Sequence, residues 1–386
     1  MRPFHATYRQ ISLRSFASSP AAVTRVKSDA ACSVSDGGVM WMEPIHVLGA
    51  GSVGLLMAAS LRIAFPSYPI RLLLREHHRV SPGNDTPDIL VNLIQNRRLR
   101  TVKVPSQIIS ANFSPKRKFR NVLLATKAYQ AVGALESIQH CLELHPNSNA
   151  TQIVLLCNGV MAVRDDISSH FPGLHPTNLH MALTTHGAYR ELVTNEGSSE
   201  NDSNYYESAA EESSSLMMDV VHAGTGQLDF PLELEAWVPL FDRAGLQASA
   251  LSNEEMQTQL WCKLAANCLI NPLSALHQCT NGEVVNTSEW EELLVRIPEE
   301  VANVARVQLG EEVDVQASKL RQFCEHVVAS TKDNRSSMLQ DFKAGRRTEI
   351  DALNGYVIRL GEQSGVSVEA NRNLYERILA LPRLEE

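Results

Sequence analysis

The run Ile45-His46-Val47-Leu48-Gly49-Ala50-Gly51-Ser52-Val53-Gly54 decides how the rest of the chain is read. Its first residues have the length and apolar character of a buried strand. Gly49, Gly51 and Gly54 have the G-x-G-x-x-G spacing of a dinucleotide-binding turn. In such a turn the first glycine reverses the chain, the second lets the backbone approach a pyrophosphate, and the third lets the next helix pack on the strand. Residues 55–65 read as that helix, whose first amide N–H groups would face an anion. A lone glycine motif marks only a tight turn, but here strand and helix flank it as the motif requires. Gly49, Ala50, Gly51, Ser52, Val53 and Gly54 are therefore the expected cofactor cradle.

Outward from this turn, apolar strands alternate with helices, which predicts a mostly parallel sheet. Strands are expected at 45–48, 70–74, 89–93, 121–126 and 152–157, with a short one near Val102. The second ends at Arg75. An acid at that point would bind the ribose of NAD, whereas an arginine accepts the extra phosphate of NADP. Glu76 follows directly, and Arg75 could also simply end a strand. Lys127 and Asn158-Gly159 follow the strands at 121–126 and 152–157, where ligands of open α/β sheets sit. Taken alone, the first is equally a solvated lysine and the second an ordinary turn.

A chain of 386 residues exceeds what one core usually serves and points to two domains. Its net charge of −8, with no dense basic patch after residue 40, argues against nucleic acid as a partner. No stretch is long and apolar enough to span a membrane. The seven cysteines lack C-x-x-C spacing and are odd in number, so neither a metal site nor a disulfide framework is expected. Two segments fall outside fold reasoning. Before the first acid, Asp29, come Arg2, Arg9, Arg14, Arg25 and Lys27 among serines and alanines. That is the composition of a mitochondrial transit peptide, with a cytosolic leader as the alternative. Residues 191–215 are rich in Ser, Glu and Asn with few large aliphatics, and read as a disordered acidic insertion between strands.

From about Ser252 the pattern turns to long helices. Lys263, Asn267 and Asn271 recur every four residues, so a helix places them on one face beside the apolar Leu260, Leu264, Leu269 and Ile270. Such polar groups must face water or meet a ligand. Further on, Ser337 with Gln340 reads as a capping box, and Thr348-Glu349-Ile350-Asp351 as another helix start. Capping and first-turn placement are sufficient structural reasons for Ser337 and Glu349.

Together with the glycine turn, Thr126-Lys127-Ala128-Tyr129-Gln130, Asn158-Gly159, Thr184-Thr185-His186, Lys263-Leu264-Ala265-Ala266-Asn267-Cys268-Leu269-Ile270-Asn271-Pro272-Leu273, Asn281-Gly282-Glu283, Ser336-Ser337-Met338-Leu339-Gln340-Asp341 and Thr348-Glu349-Ile350-Asp351 resemble the ketopantoate reductase family in order and spacing. The resemblance implies reduction of 2-dehydropantoate to (R)-pantoate with NADPH, on the route to pantothenate and coenzyme A. It implies Lys263 as general acid and Glu349 as the partner of the substrate hydroxyl. Ser337, Asn267 and Asn271 would orient the substrate, Asn158 and Lys127 would lie where nicotinamide and substrate meet, and Arg75 would hold the 2′-phosphate. The implied α/β architecture is an N-terminal Rossmann-type dinucleotide-binding domain at 42–250, after a leader at 1–41, and an all-α C-terminal domain at 251–386. The active site would be the cleft between them, and the helical domain a candidate homodimer face. Two alternatives stand beside this reading: a reductase of another 2-oxo acid, and a non-catalytic NADPH sensor.

Overall fold

The computed structural model describes residues 43–76, 87–96, 98–110, 113–145, 150–190, 216–223, 226–310 and 313–382. The expected transit peptide and acidic insertion lie outside these residues.

The glycine turn joins β1 (Ile45–Leu48), buried along its whole length, to α1 (Ser52–Ala64). Around β1 lie β2 (Ile70–Arg75), β3 (Asp88–Gln95), β4 (Arg98–Ile109), β5 (Asn121–Leu124), β6 (Gln152–Leu155) and β7 (Leu179–Met181). The spatial order β4-β2-β1-β5-β6-β7 is parallel throughout. It is the doubly wound order in which the chain reverses direction across the sheet between β1 and β5, and ligands bind at that reversal. Val122, Leu123, Leu124, Ile153, Val154 and Leu155 are all fully buried. Uninterrupted apolar runs of this kind are what a sheet covered on both faces requires.

The expected short strand near Val102 is instead the twelve-residue β4. Its first half, with Arg98, Arg100 and Lys103, is exposed and pairs antiparallel with β3, with Asn96 at positive φ (51°) in the connecting turn. Its second half enters the core and pairs parallel with β2. The solvated half exposes even Leu99 among its charged residues, so no buried face marks it as a strand, and that hid its length. Beyond β3 the sheet is extended by β9 (Gly187–Tyr189) and β10 (Leu216–Ala223). A second, three-stranded sheet contains β8 (Leu183–Thr184), β11 (Leu228–Pro231) and β12 (Ala248–Leu251).

After β12 the described residues contain only helices and connections. In the N-terminal part, α2 (Ala131–Ser137), α3 (Val160–His170) and the one-turn α4 (Val238–Phe241) join α1. The C-terminal part holds α5 (Asn253–Leu276), α6 (Trp290–Leu309), α7 (Ala317–Ser330), α8 (Ser337–Lys343), α9 (Asn354–Ser364) and α10 (Glu369–Leu379). α5 begins at a reciprocal capping box between Ser252 and Glu255. The cap of α8 is Ser336, whose Oγ accepts from the Leu339 amide at 3.1 Å, so the expectation for Ser337 is off by one residue. Ser336 Oγ also accepts from Ser274 Oγ at 2.5 Å, which fixes α8 to α5 and leaves the Ser337 hydroxyl uncommitted to capping.

Two apolar clusters explain how the halves join. One fills the α1 face of the sheet. The other contains Val122, Leu124, Ile153 and Leu155 from β5 and β6 together with Leu264, Leu269 and Leu273 from α5. The helical part thus docks on the β5–β6 side, and its polar α5 face meets the carboxyl ends of those strands.

Candidate active site

At the reversal point the glycines are needed for physical reasons. Gly49 has φ of +117°, and a Cβ there would stand 2.7 Å from the Ala125 carbonyl oxygen on the neighbouring strand end. A Cβ on Gly54 would stand 1.9 Å from the Gly49 oxygen. A Cβ on Gly51 would meet only the Ala125 oxygen, at 3.9 Å, so space lies open over the turn. No side chain caps the start of α1, which leaves its first amides facing that space. Nearby, the buried Thr126 hydroxyl has no hydrogen-bond partner among the described residues. A pyrophosphate fits this cradle: room for a ligand, uncommitted amide donors, and the positive end of a helix.

The cradle opens into a cleft of about 750 Å³ between the sheet and the helical part. Its wall includes Gly49, Ala50, Gly51, Ser52, Val53, Arg75, Lys127, Asn158, Lys263, Asn267, Asn271, Ser337 and Glu349. Of the glycine-turn residues, Gly54 stays off the wall, buried behind the turn. Among the described residues, the cations Arg75, Lys127, Arg190, Lys263 and Arg335 line the cleft against the single carboxylate of Glu349. A basic cleft in a chain of net charge −8 selects anionic ligands.

Lys263, Asn267 and Asn271 share one face of α5, as their spacing predicts, and all three reach the cleft. Lys263 Nζ donates to the Thr184 carbonyl at 2.8 Å. Burial lowers its pKa to about 8, partly opposed by Cys157 and Glu349. An ammonium so tuned remains mostly protonated near neutrality yet gives up its proton more readily than an ordinary lysine. Asn267 and Asn271 make no side-chain hydrogen bond among the described residues, and Asn271 as a residue is buried.

Glu349 occupies the cap position before a short 3₁₀ turn at Ile350–Ala352, not the first turn of α9. Its buried carboxylate crosses to the sheet. Oε1 accepts from the Ala128 amide at 3.0 Å, Oε2 accepts from Asn158 Nδ2 at 3.1 Å, and Lys127 Nζ lies 3.5 Å from Oε2. Gly159, at φ of +62°, allows this approach, since a Cβ there would lie 2.6 Å from Ala352. Asn158-Gly159 is thus both a ligand-facing strand end and a point where the two parts come into close contact.

Two residues escaped the sequence reading as individuals. Asn281 lines the cleft, donates to Thr331 Oγ1 at 2.9 Å, and has a buried Oδ1 with no partner among the described residues. Asp341 lies just behind the wall, bonded to Lys127 at 2.5 Å and to Arg346 at 3.0 Å. Both stand in quoted motifs, but nothing in local spacing separates an asparagine or an aspartate of this kind from a turn residue. Among the described residues no cluster of His, Cys, Asp and Glu could hold a metal ion.

A dinucleotide cradle at the reversal of a doubly wound sheet, facing a lysine of lowered pKa across a basic cleft, defines an oxidoreductase that uses a nicotinamide cofactor. Models of two regions place it more closely. Residues 45–197 match "Ketopantoate reductase PanE/ApbA" and residues 255–381 match its C-terminal region. The 2-dehydropantoate 2-reductase of Vibrio cholerae serotype O1 is 31% identical over 346 residues, covering 87% of this chain and 97% of that protein. The chain belongs to the ketopantoate reductase family. Among solved structures, D-mandelate dehydrogenase with NADH and anilino(oxo)acetate superposes with a TM-score of 0.68 at 21% identity, covering 87% of this chain and 97% of that one. A PanE/ApbA family ketopantoate reductase from Ralstonia eutropha JMP134 gives 0.64 at 24%, with the same coverage. These two likenesses bear on the fold alone.

Proposed function

We propose that this chain reduces 2-dehydropantoate to (R)-pantoate with NADPH, the step that feeds pantothenate and coenzyme A formation. The observation that carries the reading is Lys263, a half-buried ammonium held by Thr184 in the cleft between the glycine cradle and the helical part. The cofactor, when bound, supplies a hydride to the ketone carbon. The carbonyl π pair then moves onto oxygen, and Lys263 Nζ transfers a proton to that oxygen, so the alcohol forms without a free alkoxide. Before transfer, the same ammonium polarises the ketone. Its neutral amine regains a proton from solvent after product leaves.

Asn267, Asn271 and Ser337 offer neutral donors and acceptors that orient the carboxylate and hydroxyl of a small 2-oxo acid. Glu349 is the acceptor for the substrate hydroxyl, and Asn158 stands beside it at the nicotinamide end. Arg75, exposed at the end of β2, is the partner for a 2′-phosphate. Oxidation of NADPH, followed in the presence of 2-dehydropantoate and compared with simpler 2-oxo acids, tests the assignment. Turnover on the simpler acids with none on 2-dehydropantoate would replace the substrate. Binding of NADPH without turnover on any of them would favour a sensor.

The arginine-rich leader supports a mitochondrial site of action. Residues 1–41 fused to a fluorescent reporter should direct it into mitochondria, and a diffuse cytosolic signal would reject this.

A further inference from the structure

Lys127 projects from the carboxyl end of β5, and its ammonium is shared by two buried carboxylates of the helical part. Asp341 Oδ2 lies 2.5 Å from Nζ and Glu349 Oε2 lies 3.5 Å away. Burial disfavours the Lys127 charge, but the attraction of Glu349 and Asp341 outweighs it and raises the pKa, so the ammonium persists. Glu349 lines the cleft, whereas Asp341 stands outside its wall. Asp341 therefore acts on a ligand only through Lys127.

We propose that Asp341 is a built-in competitor for Lys127: it holds the ammonium against the helical part and must release it before an anionic group of the dinucleotide can take it. This rests on the reading that the strand ends at β1 and β5 receive that dinucleotide. An anion entering the cleft meets a Lys127 already compensated by Asp341 and Glu349, so this cation attracts it less than a free ammonium would. The charge-assisted hydrogen bond broken on release subtracts from the ligand's affinity. A carboxylate as buried as Asp341, at 2% exposure, could not be left bare without a large cost. Arg346 removes that obstacle, because its Nε stays on Oδ1 at 3.0 Å from the solvent side when Lys127 departs. Asp341 is thus a positioning residue with two cations, one fixed and one exchangeable.

The arrangement predicts opposite effects from two substitutions in the full chain, read by calorimetric titration with NADPH. Asp341→Asn frees Lys127 and should tighten NADPH binding by about three- to thirtyfold, the span of one charge-assisted hydrogen bond partly screened by solvent. Arg346→Gln leaves Asp341 with Lys127 alone and should weaken NADPH binding severalfold. Arg346 is largely exposed, so this variant retains a packed core and decides the question even if Asp341→Asn folds poorly. In a Lys127→Met background neither substitution should change NADPH affinity, whereas a merely structural Asp341 would have the same effect with or without the lysine. Unchanged or weakened binding in folded Asp341→Asn, unchanged binding in Arg346→Gln, or persistence of either effect without Lys127 overturns the proposal. A wild-type chain that takes up no NADPH overturns the proposed function with it, whereas wild-type binding with unresponsive variants overturns this inference alone.

Discussion

Lys263 and Arg75 separate what a single side chain can do from what its surroundings make of it. As a general acid Lys263 must be protonated, and with a pKa near 8 the proposed activity should fall as pH rises through that value, well below the range of an ordinary lysine. Lys263→Ala should lower kcat by about 10²- to 10⁴-fold, the usual contribution of a positioned proton donor. NADPH affinity should hardly change, because the cradle and Arg75 belong to the other part of the molecule. A folded Lys263→Ala protein with near wild-type turnover would remove the catalytic role. At Arg75 the question is discrimination. Arg75→Ala should weaken NADPH much more than NADH, since only NADPH carries the 2′-phosphate, and equal losses in a binding titration would refute the assignment.

Elements show why the sequence was readable in some places and opaque in others. The turn at 49–54 is legible because Gly49 and Gly54 answer clashes that the fold imposes, while Gly51 keeps the space over the turn open. Gly54→Ala puts a methyl group 1.9 Å from a backbone oxygen that cannot swing aside. We expect it to destabilise the protein by about 1–3 kcal/mol, the usual cost of overpacking, and to weaken NADPH as the cradle opens. Thermal unfolding and titration of the same variant measure both, and an unchanged melting temperature would contradict the geometry. The α5 face is legible for a similar reason, since polar residues every four positions among apolar ones admit few structures. β4 was misread because half of it faces water, and strand patterns are visible only where a face is buried. The cap of α8 is misplaced by one residue because Ser336 and Ser337 are chemically identical, and only their contacts, with the Leu339 amide and Ser274, distinguish them. The bonds from Asp341 and Glu349 to Lys127, Ala128 and Asn158 span large sequence separations, and no local pattern encodes such pairs.

For the molecule as a whole, buried histidines set the response to acid. His222 Nε2 and His186 Nδ1 are 2.8 Å apart, His186 Nε2 lies 2.9 Å from the Leu246 carbonyl, and His222 Nδ1 lies 2.9 Å from Gln95 Nε2. With both rings neutral, every contact has one donor and one acceptor: Gln95 donates to His222, His222 to His186, and His186 to Leu246. Protonating His186 places two hydrogens face to face across the middle bond, and protonating His222 does the same across its contact with Gln95. Burial, together with the His186 ring, lowers the pKa of His222 to about 4, and burial also lowers that of His186. His46, stacked on Phe119 with ring centroids 3.8 Å apart, is likewise lowered to about 4, mainly by burial and then by Arg71. The unfolded chain therefore binds more protons than the folded one between the ordinary histidine value of 6.5 and about 4. Stability from these groups is complete above pH 6.5 and is lost as pH falls through that window, on the order of 3 kcal/mol from each of His46 and His222. Glu289, held down to about 2, mainly by Arg377, responds only below the ordinary carboxylate value of 4.5. Urea unfolding at pH 7.5 and at pH 5 should thus reveal a loss that carboxylates do not explain, and His222→Gln should flatten the slope between those values. A stability constant over that interval would show that the histidines are already protonated or solvated in the folded protein.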